Sequence, residues 1–269
     1  MSQRYRPLIP YLFLAGFLIF IAIFAPLLTP YDPYIQNLEG ALSEPNSTNL
    51  LGTDRYGRDI LSRVIMGSQT TLFASLLLLL TISIFGSLIG AICGYKGGRL
   101  DVFLMRLSDV FLAFPQMVFA VAAAGILGGG LFNAAVALAM IGWPKYARIS
   151  RGLVLTIRSM PYMDAAKMAG TSSFGMLYHH VLPNIAGPVL VTAALDIGTI
   201  IMELAGLSFL GLGAMPPTAE WGAMMNNGRS MLQTAPWVIL SPGAAIFITV
   251  AVFNLLGDKI RDVMEPKNK

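Results

Sequence analysis

Runs of apolar residues long enough to cross a membrane recur six times along the chain. They occupy approximately residues 9–28, 71–93, 105–127, 131–149, 185–207 and 238–257. An α-helix rises about 1.5 Å per residue, so about 20 residues cross the roughly 30 Å of hydrocarbon in a bilayer. The pattern predicts an all-α, polytopic membrane protein with six transmembrane helices.

The composition supports this prediction. Of the 269 residues, 55% are hydrophobic and 12% are charged, and the mean hydropathy is +0.68. These values exclude an ordinary soluble globular domain. The first apolar run follows a basic start, but it is longer than a typical signal-peptide core and lacks a small-residue cleavage site. It therefore predicts an uncleaved first span.

Basic residues are distributed unevenly between the two sides that six spans would create. With the N-terminus inside, four of the 18 Lys and Arg lie outside: Arg55, Arg58, Arg63 and Arg229. The remaining fourteen (18 − 4) lie inside, an asymmetry typical of cytoplasmic loops. The pattern predicts a multi-pass protein with both termini cytoplasmic, and it accounts for the net charge of +4 without nucleic acid as a partner.

The stretch after the first span is rich in Pro, Asp, Asn and Ser, which is typical of turns. Two of its acids, Asp54 and Asp59, lie beside glycines, but flanking arginines oppose a cation site there. A turn that leads into a short amphipathic helix at Ile60 is favoured. We therefore predict an N-terminal unit at residues 1–70, comprising the first span and this external segment, and a transmembrane core domain at residues 71–269.

Small and helix-breaking residues mark the second and third spans. The second span ends with Gly86, Gly90 and Gly94, which form two overlapping GxxxG spacings. Glycines four residues apart make a flat stripe on a helix, so they predict close packing against another helix of the bundle or of a partner subunit. Pro115 removes a backbone donor inside the third span and predicts a kink.

Residues 145–183 are the polar, basic interruption of the apolar pattern. Pro144 and Lys145 are predicted to end the fourth span. Ser159 is predicted to cap a helix that begins near Pro161.

Two short helices are predicted between residues 159 and 183. The first carries Asp164 in its first turn and is stopped by Gly170. The second covers approximately residues 174–181. Small side chains on a cytosolic loop would fit a groove of another protein, but a solvated interfacial helix explains the same pattern equally well.

The sequence DAAKMAG, followed after nine residues by HVLP, resembles the EAA motif of bacterial ABC-importer permeases. The matching positions are Asp164, Ala165, Ala166, Gly170, Leu182 and Pro183. Asp164 replaces the more usual Glu and keeps its charge, while His180 occupies a position that is often apolar. In that family the loop is the coupling helix, which sits in a cleft of the cytosolic ATPase. The resemblance therefore implies a coupling-helix loop at residues 159–183.

Further stretches extend the resemblance to the peptide/nickel branch of these permeases along nearly the whole chain. They include LGTDRYGRDILSR, LSDVFLAFPQ, LSFLGLGAMPPTAEWG and PWVILSPGAAIFITVAVFNLLGD. The resemblance implies a bacterial plasma (inner) membrane protein that forms a heterodimer with a homologous permease. It also implies two cytosolic ATPase subunits, an extracytoplasmic solute-binding protein, and nickel, a metal chelate or a di-/oligopeptide as solute.

No signature of nucleotide binding or covalent catalysis is present in the sequence. The chain lacks a GxxxxGK[ST] loop and an ABC signature stretch, so ATP and Mg are expected on partner subunits and no cofactor is expected here. His179 and His180 are adjacent, and neighbouring side chains diverge on a helix, so no metal site is expected. We expect a transport subunit that is not itself an enzyme.

Two carboxylates lie inside the fifth apolar run. Asp196 and Glu203 are two helical turns apart and share one face. Each would cost about 2.5 to 3.5 kcal/mol at mid-membrane, so each should face the bundle interior, a partner or water. They are candidates to line the translocation path and contact a cationic solute, although a role in helix packing explains them equally well. The alternative function is a proton-coupled secondary transporter that uses the same two acids.

Overall fold

The computed structural model describes residues 6–264, which fold into α-helices joined by turns and irregular segments. Its helices are α1 (Ile9–Ile23), α2 (Ala25–Leu28), α3 (Ile60–Lys96), α4 (Gly98–Ala113), α5 (Gln116–Ile126), α6 (Leu131–Arg158), α7 (Pro161–Met168), α8 (Ser173–Gly175), α9 (Leu182–Phe209), α10 (Trp221–Gly228) and α11 (Trp237–Met264). A π-helical run, Met176–Val181, joins α8 to α9. Within residues 6–264 the β pairing amounts to one bridge between Thr53 and Asp59. Three of the fourteen basic residues predicted on the inner side, Arg4, Lys267 and Lys269, fall outside the described residues, as do both chain ends.

Length and composition support four or five of the six predicted spans. Four helical segments in the described range are long and apolar enough to cross a membrane: Arg6–Ile23, Ile60–Lys96, Ser173–Phe209 and Trp237–Met264. The pair α4 and α5 makes a fifth if the two count as one span. The predicted fourth span lies in α6, which is long enough at 28 residues but less apolar, because basic residues occupy its second half.

The second span is longer than its apolar run suggested. The short separate helix predicted at Ile60 is wrong, because Ile60 begins a continuous helix of 37 residues. Asp59 caps this helix, since its carboxylate accepts the backbone N–H of Ser62 at 2.7 Å. Gly97, at φ +65°, ends it at Lys96.

The third predicted span is broken at the proline. The kink expected at Pro115 is a bend of 95° between α4 and α5, so residues 105–127 do not form one helix. Pro115 has no N–H for the helical ladder, and Phe114 before it is extended at ψ 144°. The break leaves α5 pointing in a different direction from α4.

The prediction that Pro144 and Lys145 end the fourth span is wrong. Helix α6 runs through the buried Pro144 to Arg158. Packing explains the continuity, because residues 143–154 of α6 lie along the glycine stripe of α3, and neighbouring helices stabilise a membrane helix that contains proline. Local propensity at one residue is overridden by this contact.

Two predictions for residues 159–183 also need correction. Ser159 does not cap α7, because its hydroxyl donates to the carbonyl of Thr156 at 2.8 Å and closes the end of α6. The second short helix is not separate, because the π-helical run continues directly into α9. Helix α7 begins at Pro161 as predicted, and Gly170 follows its end at φ +84°.

The centre of the bundle lies where α3, α5, α6 and α9 meet. Its buried apolar cluster consists of Leu78, Leu79, Ile82, Ala120, Ala134, Leu138, Ile141, Tyr146, Ile200, Leu204 and Leu207. Helix α1 packs on the outside through a second cluster that contains Ala15, Ala22, Leu72, Ile201, Phe253 and Leu256. The first cluster places α6 and α9 side by side, and this positions the polar residues described next.

Candidate functional site

A cavity of about 270 Å³ lies among α3, α4, α5, α6 and α9. Its lining residues are Ile82, Leu112, Gln116, Ile141, Gly142, Lys145, Tyr146, Arg148, Ile149, Asp196, Thr199, Ile200 and Glu203. Asp196 and Glu203 therefore face the same cavity, in agreement with their spacing of two turns on α9. Ile82, Ile141 and Ile200 of the central apolar cluster line it, and the charged groups come from α6 and α9.

Asp196 is held by two residues of α6. The ammonium of Lys145 lies 2.7 Å from each carboxylate oxygen of Asp196, and the hydroxyl of Tyr146 donates to Oδ2 at 2.9 Å. The side chain of Asp196 is 14% exposed, and Tyr146 is fully buried. The sequence predicts Lys145 at the end of a span, whereas the structure pairs it with an acid across the cavity.

Glu203 has a different environment. Its Oε2 accepts a hydrogen bond from the side-chain amide of Gln116 at 3.1 Å. Gln116 is the first residue of α5, so the break at Pro115 brings this amide to the cavity. Among residues 6–264, Glu203 has no cationic partner within ion-pair distance, and Oε1 has no hydrogen-bond donor.

Two other cations of α6 are paired with acids of α4. Arg148 forms an ion pair with Asp109, and Arg151 makes two hydrogen bonds with Asp101 at 2.5 and 2.7 Å. Neither acid is among the residues predicted from the sequence. Both acids lie on α4, which follows α3 and is amphipathic, and this amphipathic pattern was the signal in the sequence that could have indicated them. These pairs fasten α4 to α6 beside the cavity.

The glycine stripe of α3 faces α6. A methyl group added to Gly86 or Gly90 would meet the carbonyl oxygen of Trp143 or Ala147, and one added to Gly94 would lie 2.9 Å from Cβ of Val154. The stripe therefore allows two backbones of the same chain to approach closely. This contact holds the second half of α6, which carries Lys145 and Tyr146.

The 159–183 loop is anchored by an apolar cluster and exposes most of the motif positions. Met163 is completely buried and packs in a cluster with Ala91, Val154, Ile157, Met176, Val181 and Ile185. Asp164, Ala165 and Gly170 are exposed, and the nearest cation to Asp164 is Lys167 at 3.6 Å. Ala166 is half-buried.

The other two motif residues, Leu182 and Pro183, open α9 and are half-buried and exposed, respectively. The helix that carries Asp196 and Glu203 therefore begins in the 159–183 loop. The adjacent histidines are both outside the buried cluster, and His179 Nδ1 lies 3.2 Å from the carbonyl oxygen of Gly175. Within residues 6–264, no three His, Cys, Asp or Glu side chains converge as a metal site would require.

The structure also contains two buried polar clusters outside the cavity that the sequence did not predict as clusters. In the segment before α3, Asp54 accepts hydrogen bonds from Arg58 and lies 3.6 Å from Arg63. All three residues are less than 10% exposed. The Asp54 carboxylate is therefore occupied by the guanidinium group of Arg58.

The second cluster lies at the start of α10. The carboxylate of Glu220 accepts the N–H groups of Gly222 and Ala223 at 2.9 and 2.8 Å, and Thr71 of α3 lies 3.3 Å away. Burial raises the pKa of the Glu220 carboxyl. This cap joins the segment after α9 to α3.

The sequence matches two protein families. "Binding-protein-dependent transport system inner membrane component" matches residues 86–269, and "N-terminal TM domain of oligopeptide transport permease C" matches residues 12–46. The first covers more than half of the chain.

Curated relatives agree with these matches over nearly the full length. The chain is 42% identical over 250 residues to the probable D,D-dipeptide transport system permease protein DdpC of Escherichia coli, with 93% of this chain and 84% of the relative covered. It is 42% identical to the glutathione transport system permease protein GsiD of Pectobacterium atrosepticum, with 94% and 84% covered. It is 38% identical to the nickel transport system permease protein NikC of Escherichia coli, with 95% and 92% covered.

The fold is also found in a solved structure. A chain of the MetNI methionine ABC transporter, in an inward-facing conformation, aligns with a TM-score of 0.60 at 18% identity. The alignment covers 76% of this chain and 97% of that chain. At this identity the likeness concerns the fold alone. The family match and the relatives show that the chain belongs to the binding-protein-dependent inner-membrane permeases and is a permease subunit of an ABC importer.

Proposed function

We propose that this permease forms, with a homologous permease as a heterodimer, the membrane path for di-/oligopeptides or for nickel and its chelates. The observation that carries the proposal is the cavity between α6 and α9, which Asp196 and Glu203 both line. Carboxylates in a membrane span are costly unless they serve a partner or a solute, and a cationic group of a solute would interact favourably with them. Relatives named for dipeptides, glutathione and nickel support this range of solutes.

Six membrane spans are part of this proposal. In addition to the four long apolar helices, the bent pair α4 and α5 and the 28-residue α6 would each cross the bilayer. Three of the four Lys and Arg of α6 are paired with Asp196, Asp109 and Asp101, and this pairing lowers the cost of placing them in a span; the fourth, Arg158, is the last residue of the helix. Both termini would then be cytoplasmic, on the side that is rich in Lys and Arg.

The proposed domain organisation follows the spans. Residues 1–70 would form an N-terminal helix and an external segment, and residues 71–269 would form the core of the permease. The external segments would face the solute-binding protein. Two cytosolic ATPases would bind and hydrolyse ATP with Mg, and this chain would bind neither.

The 159–183 loop is proposed to be the coupling helix. Asp164, Ala165 and Gly170 are exposed on it, while Met163 fixes it to the bundle. Because the π-helical run connects this loop directly to α9, a movement of the loop would reach the helix that carries the two cavity carboxylates. ATP-driven closure of the ATPases would thereby change the access of the cavity.

Co-purification tests the coupling proposal. Tagged permease would be expressed with its neighbouring genes and purified in mild detergent as wild type, Gly170→Arg and Gly128→Arg. Both glycines have left-handed backbones, at φ +84° and +89°, and open space where a side chain would begin, but they lie at opposite ends of α6. Loss of the ATPase subunits from Gly170→Arg alone is expected. If both variants keep the ATPases, or wild type brings down none, the coupling role is wrong.

A further inference from the structure

The two carboxylates of the cavity differ in how completely the protein already occupies them. At Asp196 both oxygens are engaged, because Lys145 lies 2.7 Å from each and Tyr146 donates to one. At Glu203 one oxygen accepts from a neutral amide, and the other has no donor among residues 6–264. The same helix therefore presents one acid in an ion pair and one acid without an ion-pair partner among residues 6–264.

The tyrosine that donates to Asp196 is buried between helices. Tyr146 is 1% exposed, and its Cβ would lie 2.8 Å from a methyl added to Gly86. Its hydroxyl is thus positioned by the contact between α3 and α6. A solute that approached Asp196 would have to displace both this hydroxyl and an ammonium that is already bound.

None of the other charged residues of the lining forms an ion pair with Glu203. The cations among the lining residues are Lys145 and Arg148, and each is paired with a carboxylate, Asp196 or Asp109. A half-buried carboxylate without a counter-ion is stabilised when a cation arrives. Glu203 is therefore the acid at which an incoming positive charge gains most.

The acceptors near Glu203 favour an ammonium over a bare metal ion. Gln116 donates its amide N–H to Glu203 Oε2, so its carbonyl Oε1 and the second carboxylate oxygen of Glu203 are two acceptors that this hydrogen bond does not use. Two acceptors suit an ammonium, which has three donors, whereas a metal cage needs more ligands than the described residues bring together here.

We propose that Glu203, assisted by Gln116, contacts a protonated amine of the transported solute, and that Asp196 is a positioning residue that fastens α9 to α6. This assignment rests on the proposed function, because it presupposes that solute passes through the cavity. Of the two acids on this face of α9, Glu203 contacts the solute and Asp196 has a structural role.

The test uses the whole importer, expressed with its neighbouring genes and reconstituted with ATP. The probes are radiolabelled Ala-Ala, which has a free amine, and radioactive nickel ion. The permease variants are Glu203→Gln, Glu203→Asp, Asp196→Asn and the double reversal Lys145→Asp with Asp196→Lys. Melting temperature of the purified complex is measured for each variant as a readout that is independent of transport.

Glu203→Gln is expected to lower Ala-Ala uptake roughly tenfold, the loss typical of one hydrogen bond to a charged group, without lowering the melting temperature. Glu203→Asp keeps the charge and is expected to retain most uptake. Asp196→Asn is expected to lower the melting temperature, and the double reversal should restore both stability and uptake, because it rebuilds the ion pair.

Several results would overturn the assignment. Equal loss in Glu203→Gln and Glu203→Asp would mean that shape and not charge matters at this position. Reduced uptake in Asp196→Asn with unchanged melting temperature would assign the solute contact to Asp196, and loss of nickel uptake alone in Glu203→Gln would assign a metal. If wild type transports neither probe, the proposed substrate class itself fails and this assignment fails with it.

Discussion

The backbone of Gly90 in α3 lies directly against the carbonyl group of Ala147 in α6. No side chain fits between them, so the two helices meet at a distance that only glycine allows. The residue before Ala147 is Tyr146, whose hydroxyl holds Asp196. A glycine in one helix thus determines where a cavity residue of another helix lies.

Gly90→Ala is therefore expected to destabilise the permease by about 1 to 3 kcal/mol, the typical cost of forcing a methyl into a packed contact. Thermal unfolding in detergent would measure the loss. Gly152→Ala is the matched control, because Gly152 lies inside α6 and a Cβ there would meet open space. That variant should be neutral or slightly stabilising, since alanine favours a helix over glycine. Equal stability of the two variants would contradict the packing role of Gly90.

The cluster formed by Asp54, Arg58 and Arg63 predicts a larger effect. Asp54→Asn would leave two buried guanidinium groups without their carboxylate, and removing one partner of a buried ion pair typically costs about 3 to 5 kcal/mol. The segment before α3 should then become sensitive to limited proteolysis. Asp32→Asn is the control, because Asp32 is exposed and accepts one hydrogen bond from the N–H of Tyr34. Proteolysis of both variants at the wild-type rate would refute the structural role of Asp54.

Glu220 should tolerate loss of charge better than loss of its oxygens. Glu220→Ala leaves the N–H groups of Gly222 and Ala223 unpaired and is expected to cost about 1 to 3 kcal/mol. Glu220→Gln keeps an acceptor and should cost less. If both variants unfold at the same temperature, the carboxamide of Glu220→Gln does not cap α10 in place of the carboxylate.

The pH dependence of stability provides a second test of Glu220. Burial raises its pKa in the folded protein, so the folded state holds its proton more tightly than the unfolded chain does. Protonated Glu220 therefore contributes to the stability of the folded state. This contribution is fully present below the ordinary Glu pKa and is lost as pH rises through the raised pKa. Wild type should therefore lose stability relative to Glu220→Gln as pH increases from that ordinary value. A difference that grows as pH falls would contradict the raised pKa.

The sequence predicted some of the cavity residues but not their partners. A spacing of two turns was enough to place Asp196 and Glu203 on one face, because both residues lie on the same regular helix. Their partners were not predictable in this way. Lys145 is 51 residues from Asp196, and Gln116 is 87 residues from Glu203, so only tertiary packing brings them together.

Helix boundaries show the same limit. A proline at position 115 broke its helix, whereas Pro144 lies inside a continuous one. The difference lies in the neighbours: Pro144 is buried and lies between Trp143 and Ala147, which contact the glycine stripe of α3, whereas Pro115 is exposed. Local propensity predicted both as interruptions, and packing reversed one of them.

Arg151 and Asp101 should be coupled through geometry as well as charge. Two nitrogens of Arg151 reach the two oxygens of Asp101, an arrangement that lysine cannot reproduce. A double-mutant cycle with Arg151→Lys and Asp101→Asn is expected to give a coupling energy of about 1 kcal/mol, as measured by thermal unfolding. The exposed pair Lys259 and Asp262 is the control and should show no measurable coupling. Equal coupling energies in both pairs would mean that the Arg151–Asp101 pair stabilises the protein no more than an exposed surface ion pair does.

Gly170 separates a backbone requirement from a docking contact in the 159–183 loop. Its φ of +84° is accessible to asparagine at modest cost but is strongly disfavoured for a β-branched residue. The space around a Cβ at this position is open, so any loss in the isolated permease comes from the backbone. Gly170→Asn should therefore keep the loop conformation and ATPase co-purification, while Gly170→Val should lose ATPase co-purification with little change in the melting temperature of the permease. If Gly170→Asn also loses the ATPase, the glycine is required because a partner surface packs directly on it, and the backbone explanation fails.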